Sequence, residues 1–468
     1  MRILFASSEA TPYFKTGGLA DVARSLPDAL WERGHDVRII HPLYRRVRER
    51  RLDLEEEAQA WIPWPEGNVV VRYQVHRPER GAPAVLVDEP AFFDTAEPYA
   101  PTPYDPIAHG VRFALFSRAV IDYARRWGAE VIHANDWPTG LVPVFARVDR
   151  LGVPTVFGIH NLAYQGNFPP RILRRVGVPR HFYRMEDGLE FYEQASFLKG
   201  GLALSDRLVA VSPTYAREIQ TPEFGAGLDG LLRHRAADLR GILNGIDTRD
   251  WDPATDEAIA TRYDASRLDG KEANRRAILA ELGLRDDGPF LAMVSRLVHQ
   301  KGVDILIDAL PDLLREPGAV AVLGSGEPEY ERALARAADA FPGRVAAVFG
   351  FDDRLARRLY AGADFFLMPS RYEPCGLGQM IAQRYGTVPI VRHTGGLVDT
   401  VEDGVTGFAF TEPTPAGLLG AVGRARAAWR QPGWDELRRR CMALDWSWTR
   451  SAAQYEELYR SVAASRTP

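Results

Sequence analysis

Residues 1–34 of the chain read MRILFASSEATPYFKTGGLADVARSLPDALWERG. The stretch holds a short apolar run at Ile3–Ala6 and a loop with two glycines at residues 15–18. Apolar side chains then recur at helical spacing from Leu19 to Leu30, and Gly34 stands where a helix would end. This order predicts a buried strand, a loop and an amphipathic helix, which is the repeating unit of an α/β fold.

The same alternation continues through most of the 468 residues. Further strand-like runs are Val37–Ile40, Val85–Val87, Val131–Ala134, Thr155–Ile159, Leu208–Ser212, Phe290–Val294, Ala319–Leu323, Val345–Phe349, Asp364–Met368 and Val388–Val391. Amphipathic segments separate these runs, so we expect parallel sheets covered by helices. We predict two doubly wound domains that face each other across a cleft, with ligands at the carboxyl ends of the strands.

The alternation weakens between Trp251 and Asp287, where the chain is polar and charged. Just before this segment, Asn244-Gly245 is a strong turn signal. We therefore predict an N-terminal domain over residues 1–243 and a C-terminal domain over residues 244–445.

Composition excludes several classes of protein. The net charge of −4 gives no support for a nucleic-acid or anionic-membrane partner. Two cysteines cannot build a disulfide framework or a cysteine-type zinc site. The chain turns polar at Ser7, too early for a signal peptide, and no apolar run approaches the roughly 20 residues that cross a bilayer. These features predict a cytoplasmic protein.

Only four of the 58 basic residues are lysines: Lys15, Lys199, Lys271 and Lys301. Codon bias in a GC-rich genome explains their small number but not their positions. Lys15 and Lys301 lie beside glycines in loops after strand-like runs, and a compact ammonium group suits phosphate as a point charge. The loop at residues 15–18 is neither a Walker A nor a Gly-x-Gly-x-x-Gly loop, so a plain turn remains an alternative there.

A series of short segments carries a resemblance to a known family. They are KTGGLADV at 15–22, HANDW at 133–137, IHNLAYQG at 159–166, FLKGG at 197–201, VSPTY at 211–215, NGID at 244–247, SRL at 295–297 with KG at 301–302, PSRYEPCGL at 369–377 and TGGL at 394–397. In this order they resemble the bacterial glycogen synthases and plant starch synthases, which are retaining glycosyltransferases of the GT-B fold with two Rossmann-like domains. The resemblance spans nearly the whole chain.

The resemblance implies how a sugar nucleotide would be bound. It makes Arg296 and Lys301 a clamp on the diphosphate, places Glu373 on the hydroxyls of the donor sugar, and brings Lys15 to the donor from the N-terminal domain. Further substrate-binding residues implied by the matched segments are Gly17, Gly18, Asp21, Asn161, Asn244, Cys375, Gly376, Leu377, Thr394 and Gly395. Gly324 lies outside these segments, but it ends a strand-like run and is expected beside the nucleoside. The alternatives are surface charge for the two cations, a helix N-terminal charge for Glu373 and a simple turn at Gly324.

Three residues of the N-terminal domain are implied to contact sugar. His160 matches the family's residue beside the transferred glucose, although a lone histidine is usually structural. Asp136 and Trp137 suggest contact with the acceptor or the sugar, and a core tryptophan is an alternative for Trp137. Family members usually have threonine where this chain has Gly158.

The chemistry implied is substitution without a metal. Many relatives in neighbouring retaining families carry a second glutamate eight positions after the first, where this chain has Ile381, and no carboxylate nucleophile is evident. We therefore expect front-face substitution, with basic side chains and backbone amides stabilising the departing diphosphate. Asp250-Trp251-Asp252 has the form of a metal-binding motif of the other glycosyltransferase fold, but it lies in the polar interdomain segment and we interpret it as structural.

The resemblance thus implies transfer of glucose from ADP-glucose to the nonreducing end of glycogen or a malto-oligosaccharide, with retention of configuration and without a cofactor. It also implies a terminal helix, within residues 446–468, that packs back on the N-terminal domain. Two alternatives remain: a GT-B enzyme that uses UDP-glucose or another acceptor, and a catalytically silent glucan-binding relative.

Overall fold

The computed structural model describes residues 1–102 and 104–464. The chain divides into two units, one of residues 1–245 together with the segment from Trp448 onward, and one of residues 246–447. The boundaries predicted after residues 243 and 445 lie two residues before these points. Of the predicted terminal segment, residues 465–468 lie outside the described residues.

Unit 1 contains twelve strands within the described residues, nine in a main sheet and three in a small sheet. Its strands are β1 (Arg2–Ala6), β2 (Asp36–Pro42), β3 (Glu55–Ile62), β4 (Val69–His76), β5 (Ala84–Asp88), β6 (Val131–Asn135), β7 (Thr155–Ile159), β8 (Asn167–Phe168), β9 (Glu190–Phe191), β10 (Gln194–Ser196), β11 (Arg207–Ala210) and β12 (Leu239–Gly241). Its helices up to this point are α1 (Gly18–Glu32), α2 (Arg45–Arg48), α3 (Pro90–Phe93), α4 (Ala108–Trp127), α5 (Leu141–Val148), α6 (Arg171–Arg175), α7 (Phe197–Leu204), α8 (Pro213–Glu218) and α9 (Asp229–His234). The small sheet has the strand order β8-β10-β9.

The main sheet of unit 1 has the strand order β12-β11-β7-β6-β1-β2-β5-β4-β3. All neighbouring strands are parallel except at one edge, where β4 pairs antiparallel with both β5 and β3. The expected parallel pairing therefore holds through the rest of the sheet, and this edge is an antiparallel exception. The two edge strands were missed because their residues alternate between buried and exposed, as in a sheet with one solvated face.

The first predicted unit forms as expected. In β1, the four residues Ile3–Ala6 are completely buried, as a central strand covered on both faces requires. Helix α1 buries Val22, Leu26 and Leu30 on one side, at the spacing that the sequence shows.

Unit 2 holds one six-stranded sheet among the described residues, with all pairs parallel. Its strands, β13 (Phe290–Val294), β14 (Ala319–Gly324), β15 (Val345–Phe349), β16 (Phe365–Met368), β17 (Val388–Arg392) and β18 (Phe408–Phe410), lie in the order β15-β14-β13-β16-β17-β18. Its helices are α10 (Asp269–Glu281), α11 (Val303–Leu313), α12 (Pro328–Ala340), α13 (Asp353–Gly362), α14 (Gly378–Arg384), α15 (Gly396–Thr400), α16 (Pro415–Trp429) and α17 (Trp434–Met442).

Helix α10 lies within the polar segment where the alternation of strands and helices weakens in the sequence. Its buried side includes Lys271, Asn274 and Arg275, so its hydrophobic periodicity is weak. Polar groups replace apolar ones because Arg275 pairs with the buried carboxylate of Asp364, with 3.0 Å between Nε and Oδ2.

The last helix, α18 (Trp448–Ala464), returns to unit 1. Its Tyr459 hydroxyl lies 2.6 Å from Nδ1 of His133 in β6, and the Ser451 hydroxyl donates to the Leu243 carbonyl at 2.5 Å. Within the described residues, no helix is long and apolar enough to cross a bilayer.

Candidate active site

In the main sheet of each unit, there is a switch point, at which one strand has earlier-connected and later-connected parallel strands on its two sides. In unit 1, β1 lies between β2 and β6, and in unit 2, β13 lies between β14 and β16. Loops that leave the carboxyl ends of such neighbouring strands diverge and leave a crevice, which is where α/β sheets bind ligands. The predicted site residues are carried mainly by these loops.

In unit 2, Lys301 and Glu373 meet at this point. Lys301 Nζ lies 2.6 Å from Glu373 Oε2, and the Ser370 hydroxyl donates to the same oxygen at 3.1 Å. Gly302, with φ of 66°, makes this approach possible, since a Cβ atom there would lie 2.0 Å from the Pro369 carbonyl oxygen. The glycine after the lysine therefore positions the ammonium group rather than merely ending a turn.

Arg296 lies on the same loop after β13, and its side chain is exposed. One terminal nitrogen of Arg296 is 3.5 Å from Gln300 Oε1. The backbone carbonyl of Gln300 accepts the backbone N–H of Arg371 at 2.9 Å. Arg371 makes a bidentate ion pair with Asp304, with both distances 2.7 Å. The two loops are thus tied together below Arg296, whose guanidinium group reaches solvent where it can bind an anion.

The segment after Glu373 packs against a second glycine loop. Gly395 has φ of 49°, and a Cβ atom there would lie 1.9 Å from the Glu373 carbonyl oxygen, which accepts the N–H of Gly396 at 3.1 Å. This contact fixes the backbone around Glu373. Of the other predicted residues here, Cys375 and Thr394 are buried, and Gly376 and Leu377 are half-buried just before α14.

Gly324 ends β14 beside the Arg296 loop. A Cβ atom on Gly324 would lie 1.8 Å from the Ser295 carbonyl oxygen, and Leu297 donates its N–H to the Ser325 carbonyl at 2.8 Å. The glycine permits close contact between the two loops, which is the structural alternative considered for it, and it also places the loop beside Arg296.

In unit 1, the loop that contains Lys15 is organised by Glu9. One carboxylate oxygen of Glu9 accepts the N–H groups of Thr16 at 2.7 Å and Gly17 at 3.2 Å. The other oxygen accepts the hydroxyl groups of Thr16 at 2.5 Å and Tyr99 at 2.8 Å. Sequence reasoning missed Glu9, because a single glutamate after a strand has no spacing that reveals it.

Lys15 itself is partly exposed, and its ammonium lies 2.8 Å from Asp21 Oδ1. Asp21 and Gly18 belong to the first turn of α1. A carboxylate at this position interacts favourably with the helix dipole while it holds the lysine. The predicted residues Lys15, Gly17, Gly18 and Asp21 therefore form one local cluster.

His160 follows β7 and is held by two neighbouring residues at the end of β6. Asp136 Oδ1 accepts the His160 N–H at 2.8 Å, and Asn135 Oδ1 lies 2.8 Å from His160 Nε2. Asp136 has φ of 55°, a conformation that residues with a side chain rarely adopt. The sequence pointed to His160 and Asp136 but missed Asn135, although it lies within the matched HANDW segment.

Burial sets the charge of these groups. It lowers the pKa of His160 to about 3, so the imidazole is neutral at neutral pH. Burial also raises the pKa of Asp136 to about 7. The N–H groups of His160 and Asn161 oppose this rise, and the nearby negative charge of Glu9 adds to it. Burial thus shifts both groups toward their uncharged forms.

Trp137 packs into a cluster of rings. Its indole lies 5.0 Å from the ring of Phe113 in an edge-to-face arrangement and 5.9 Å from that of Phe168, measured between centroids. The indole is half-buried, and packing against these rings covers most of its surface, as expected for a core tryptophan. Asn161 donates its N–H to Asp136 Oδ1 at 3.4 Å, and so joins the same group.

Asn244 lies in unit 1, not in the C-terminal domain to which the sequence assigned it, because unit 1 extends to Gly245. The side chain is buried, and within the described residues its Oδ1 has no hydrogen-bond partner. It is not part of either loop cluster described above.

The other two lysines have structural roles. Lys199 donates to the carbonyl oxygens of Met185 and Glu190. Lys271 is completely buried and donates to the Ala361 carbonyl at 3.0 Å and the Thr387 hydroxyl at 2.6 Å. Both ammonium groups therefore bind neutral oxygens of the surrounding chain.

Both carboxylates of the Asp250-Trp251-Asp252 motif form ion pairs with arginine side chains. Asp250 makes a bidentate pair with Arg357 at 2.9 Å, and Asp252 lies 2.9 Å from Arg384. Its carboxylates brace unit 2, as the structural interpretation held. Among the described residues, no group of three or more His, Cys, Asp or Glu is arranged to hold a metal ion.

Comparison with known proteins places this site in a family. The starch synthase catalytic domain family matches residues 2–234, and glycosyl transferases group 1 matches residues 274–429. Glycogen synthase 1 of Methylococcus capsulatus is 47% identical over 99% of this chain and 97% of its own length. The glycogen synthase of Halorhodospira halophila is also 47% identical, over 100% of both chains. The chain belongs to the glycogen synthase and starch synthase family.

Solved structures agree with this family. The catalytic domain of starch synthase IV from Arabidopsis thaliana, bound to ADP and acarbose, matches with a TM-score of 0.89 and 32% identity over 99% of both chains. A sucrose-phosphate synthase from Thermosynechococcus elongatus, at 19% identity and a TM-score of 0.63, shares the fold. The predicted GT-B fold is therefore confirmed, and the chain is a glycosyltransferase.

Proposed function

We propose that this member of the family is a glycogen synthase, which transfers glucose from ADP-glucose to the nonreducing end of an α-1,4-glucan and retains the anomeric configuration. Relatives called glycogen synthase match its whole length, and the starch synthase IV domain was solved with ADP and acarbose. Glycogen or a malto-oligosaccharide is the proposed acceptor, and the cytoplasm is the proposed location.

The observation that carries the proposal is the pairing of Lys301 with Glu373 at the switch point of unit 2. A sugar diphosphate requires positive charge at its phosphates and hydrogen-bond acceptors at its sugar hydroxyls. Arg296 and Lys301 supply the charge from one loop, and Glu373 supplies acceptor oxygens 2.6 Å from Lys301. The N–H groups of the segment from Cys375 to Leu377 add donors for the sugar and phosphate oxygens.

In the reaction, the bond between the anomeric carbon and the diphosphate oxygen breaks while the carbon bonds to the acceptor hydroxyl oxygen on the same face. The acceptor proton passes to the departing phosphate oxygen, so no separate base is needed. Arg296 and Lys301 stabilise the negative charge that grows on the diphosphate. We propose that these side chains do this without a metal ion.

Unit 1 is proposed to supply Lys15 to the donor and His160 to the transferred glucose. Lys15 is held by Asp21, which keeps the ammonium in the glycine loop without burying it. Asp136 is proposed to act mainly by holding the His160 backbone, since its Oδ1 is already used there. Trp137 is proposed to support this wall through its ring cluster.

The test is an assay of nucleotide release by the full chain from ADP-glucose and UDP-glucose, with and without glycogen. We expect ADP release that depends on glycogen, together with longer α-1,4 chains. Preferential release of UDP would support the alternative donor. Glycogen binding with no nucleotide release from either donor would support the silent glucan-binding relative and overturn the proposal.

A further inference from the structure

Asn135 occupies a position that the proposed reaction does not yet use. It is completely buried at the end of β6, and both ends of its amide group are engaged. Its Nδ2 donates to the Ala6 carbonyl at 3.0 Å, and its Oδ1 lies 2.8 Å from His160 Nε2. The side chain therefore links the end of β1 to the imidazole of His160.

The Ala6 carbonyl decides which way this amide faces. A carbonyl oxygen only accepts hydrogen bonds, so the atom of Asn135 that faces it must be the nitrogen. The atom that faces His160 is then the oxygen, which also only accepts. A hydrogen bond at 2.8 Å between this oxygen and His160 Nε2 requires that Nε2 carry the proton.

The other ring nitrogen of His160 is then an acceptor. Because burial keeps the pKa of the ring at about 3, the imidazole holds a single proton at neutral pH. With that proton on Nε2, Nδ1 presents a lone pair, and within the described part of the chain Nδ1 makes no hydrogen bond. His160 is half-buried, so it remains accessible to a ligand.

We infer that Asn135 is a positioning residue that fixes His160 as the Nε2-protonated tautomer, so that Nδ1 accepts a hydrogen bond from a hydroxyl group of the bound sugar. The inference rests on the proposed function for the identity of that hydroxyl donor. Asn135 acts through His160 and does not itself contact substrate.

The surroundings of Asn135 show how the arrangement is accommodated. A Cβ atom on Gly158 would lie 2.6 Å from Asn135 Oδ1, 2.9 Å from His133 Nε2 and 3.3 Å from His160 Nε2. The missing side chain at Gly158 therefore leaves the space in which the amide and the imidazole meet. His133 does not compete for the amide, since its Nε2 has no partner among the described residues.

The tautomer can be measured directly. We would label the full chain with ¹⁵N-histidine and identify the His160 signal by its loss in His160→Gln. We expect an unprotonated Nδ1 and a protonated Nε2 in the wild type, and a mixture of tautomers in Asn135→Leu, which keeps the shape of the side chain but neither polar atom. A wild-type ring with its proton on Nδ1 would overturn the inference.

A double-mutant cycle tests whether Asn135 acts through His160. Asn135→Leu should lower kcat/KM by about 10- to 100-fold, because a displaced group loses its orientation. In a His160→Ala background the same change should cost less than about threefold, since the group that it positions is absent. Losses that multiply in the double variant would show a merely structural role and overturn the inference.

Asn167→Leu is the matched control. Asn167 is an exposed asparagine of the same unit, and it bonds Gln165 rather than His160. The change should leave the tautomer and kcat/KM unchanged in both backgrounds. If Asn135→Leu does not fold, the wild-type tautomer still decides the matter. The tautomer measurement needs no turnover, so a failure of the proposed glucosyl transfer would appear separately, as a wild type that releases no nucleotide.

Discussion

The residues at the two switch points differ in charge: those of unit 2 form an ion pair, and those of unit 1 are joined by hydrogen bonds to a neutral imidazole. In unit 2, Lys301 and Glu373 make a direct ion pair beside an exposed arginine. In unit 1, His160 is neutral; the amide of Asn135 bonds its ring, and the carboxyl group of Asp136, whose pKa burial raises, accepts its backbone N–H. The comparison teaches that one fold can build a charged site at one sheet edge and an uncharged one at another, which suits the diphosphate and the sugar hydroxyl groups that we propose they bind.

The difference matches the ligand that we propose for each loop. Stabilising a departing diphosphate requires positive charge that is held in place, which we propose that Arg296 and Lys301 provide. Orienting an uncharged sugar requires a fixed hydrogen-bond geometry, in which a permanent charge would be costly to bury. Glycines serve both edges: Gly302 permits a close backbone contact in unit 2, and Gly158 leaves room for the side chains of Asn135 and His160 in unit 1.

The strongest challenge to this division is Lys301→Ala. Removing a charge that stabilises the departing diphosphate should lower kcat by about 10²- to 10³-fold, while circular dichroism shows an unchanged fold. Lys301→Arg is the matched variant and should recover only part of the activity, since its planar fork differs from a compact ammonium. Near-normal turnover of Lys301→Ala would remove the clamp from the account.

A second variant tests how unit 1 holds Lys15. Glu9→Gln should lower kcat/KM by about tenfold, because the carboxylate accepts four hydrogen bonds and the new NH₂ group can accept none. On one side it would face the N–H groups of Thr16 and Gly17, and on the other the two hydroxyl groups would have to turn round to accept. Hydrogen exchange of the Thr16 and Gly17 amides should rise in the same variant. The exposed Glu66→Gln is the control, and equal effects at both positions would contradict the role of Glu9.

Much of this comparison could be read from the sequence, and the reasons for the rest are physical. Strands β1, β7, β13 and β16 are buried apolar runs, so the loops that follow them were located, and with them Lys15, His160, Lys301 and Glu373. Glu9 and Asn135 were not found, because each acts on residues elsewhere in the chain, and such a role is revealed by contact and not by spacing. The antiparallel edge and the polar helix α10 were missed since neither shows the apolar run that marks a buried strand or a strong amphipathic stripe.

Gly158→Ala sharpens the comparison further with a smaller effect. The new methyl group would lie 2.6 Å from Asn135 Oδ1, so the amide must move relative to His160. We expect kcat/KM to fall by about threefold, as a small misplacement of the imidazole would cause. Gly230→Ala, where only one atom, 3.9 Å away, would meet the new carbon, is the control and should leave kcat/KM unchanged.

Asp136→Asn probes stability and not turnover. Burial raises the pKa of Asp136 from its ordinary 3.8 to about 7, so its contribution to stability is complete below pH 3.8 and is lost as the pH rises through 7. Asparagine keeps the acceptor oxygen for the His160 N–H but cannot ionise. The Tm of the variant should therefore exceed that of the wild type at pH 8, and the difference should shrink toward pH 4. A difference independent of pH would contradict the raised pKa.

The division of labour between the two units is tested most directly by calorimetric titration of ADP into the wild type, Lys301→Ala and His160→Ala. Lys301→Ala should raise the Kd for ADP by at least about tenfold, because a charge-assisted contact to the diphosphate is lost. His160→Ala should leave the Kd within about twofold of the wild type, because its partner is the sugar. An equal loss of ADP affinity in both variants, or none in Lys301→Ala, would contradict the account.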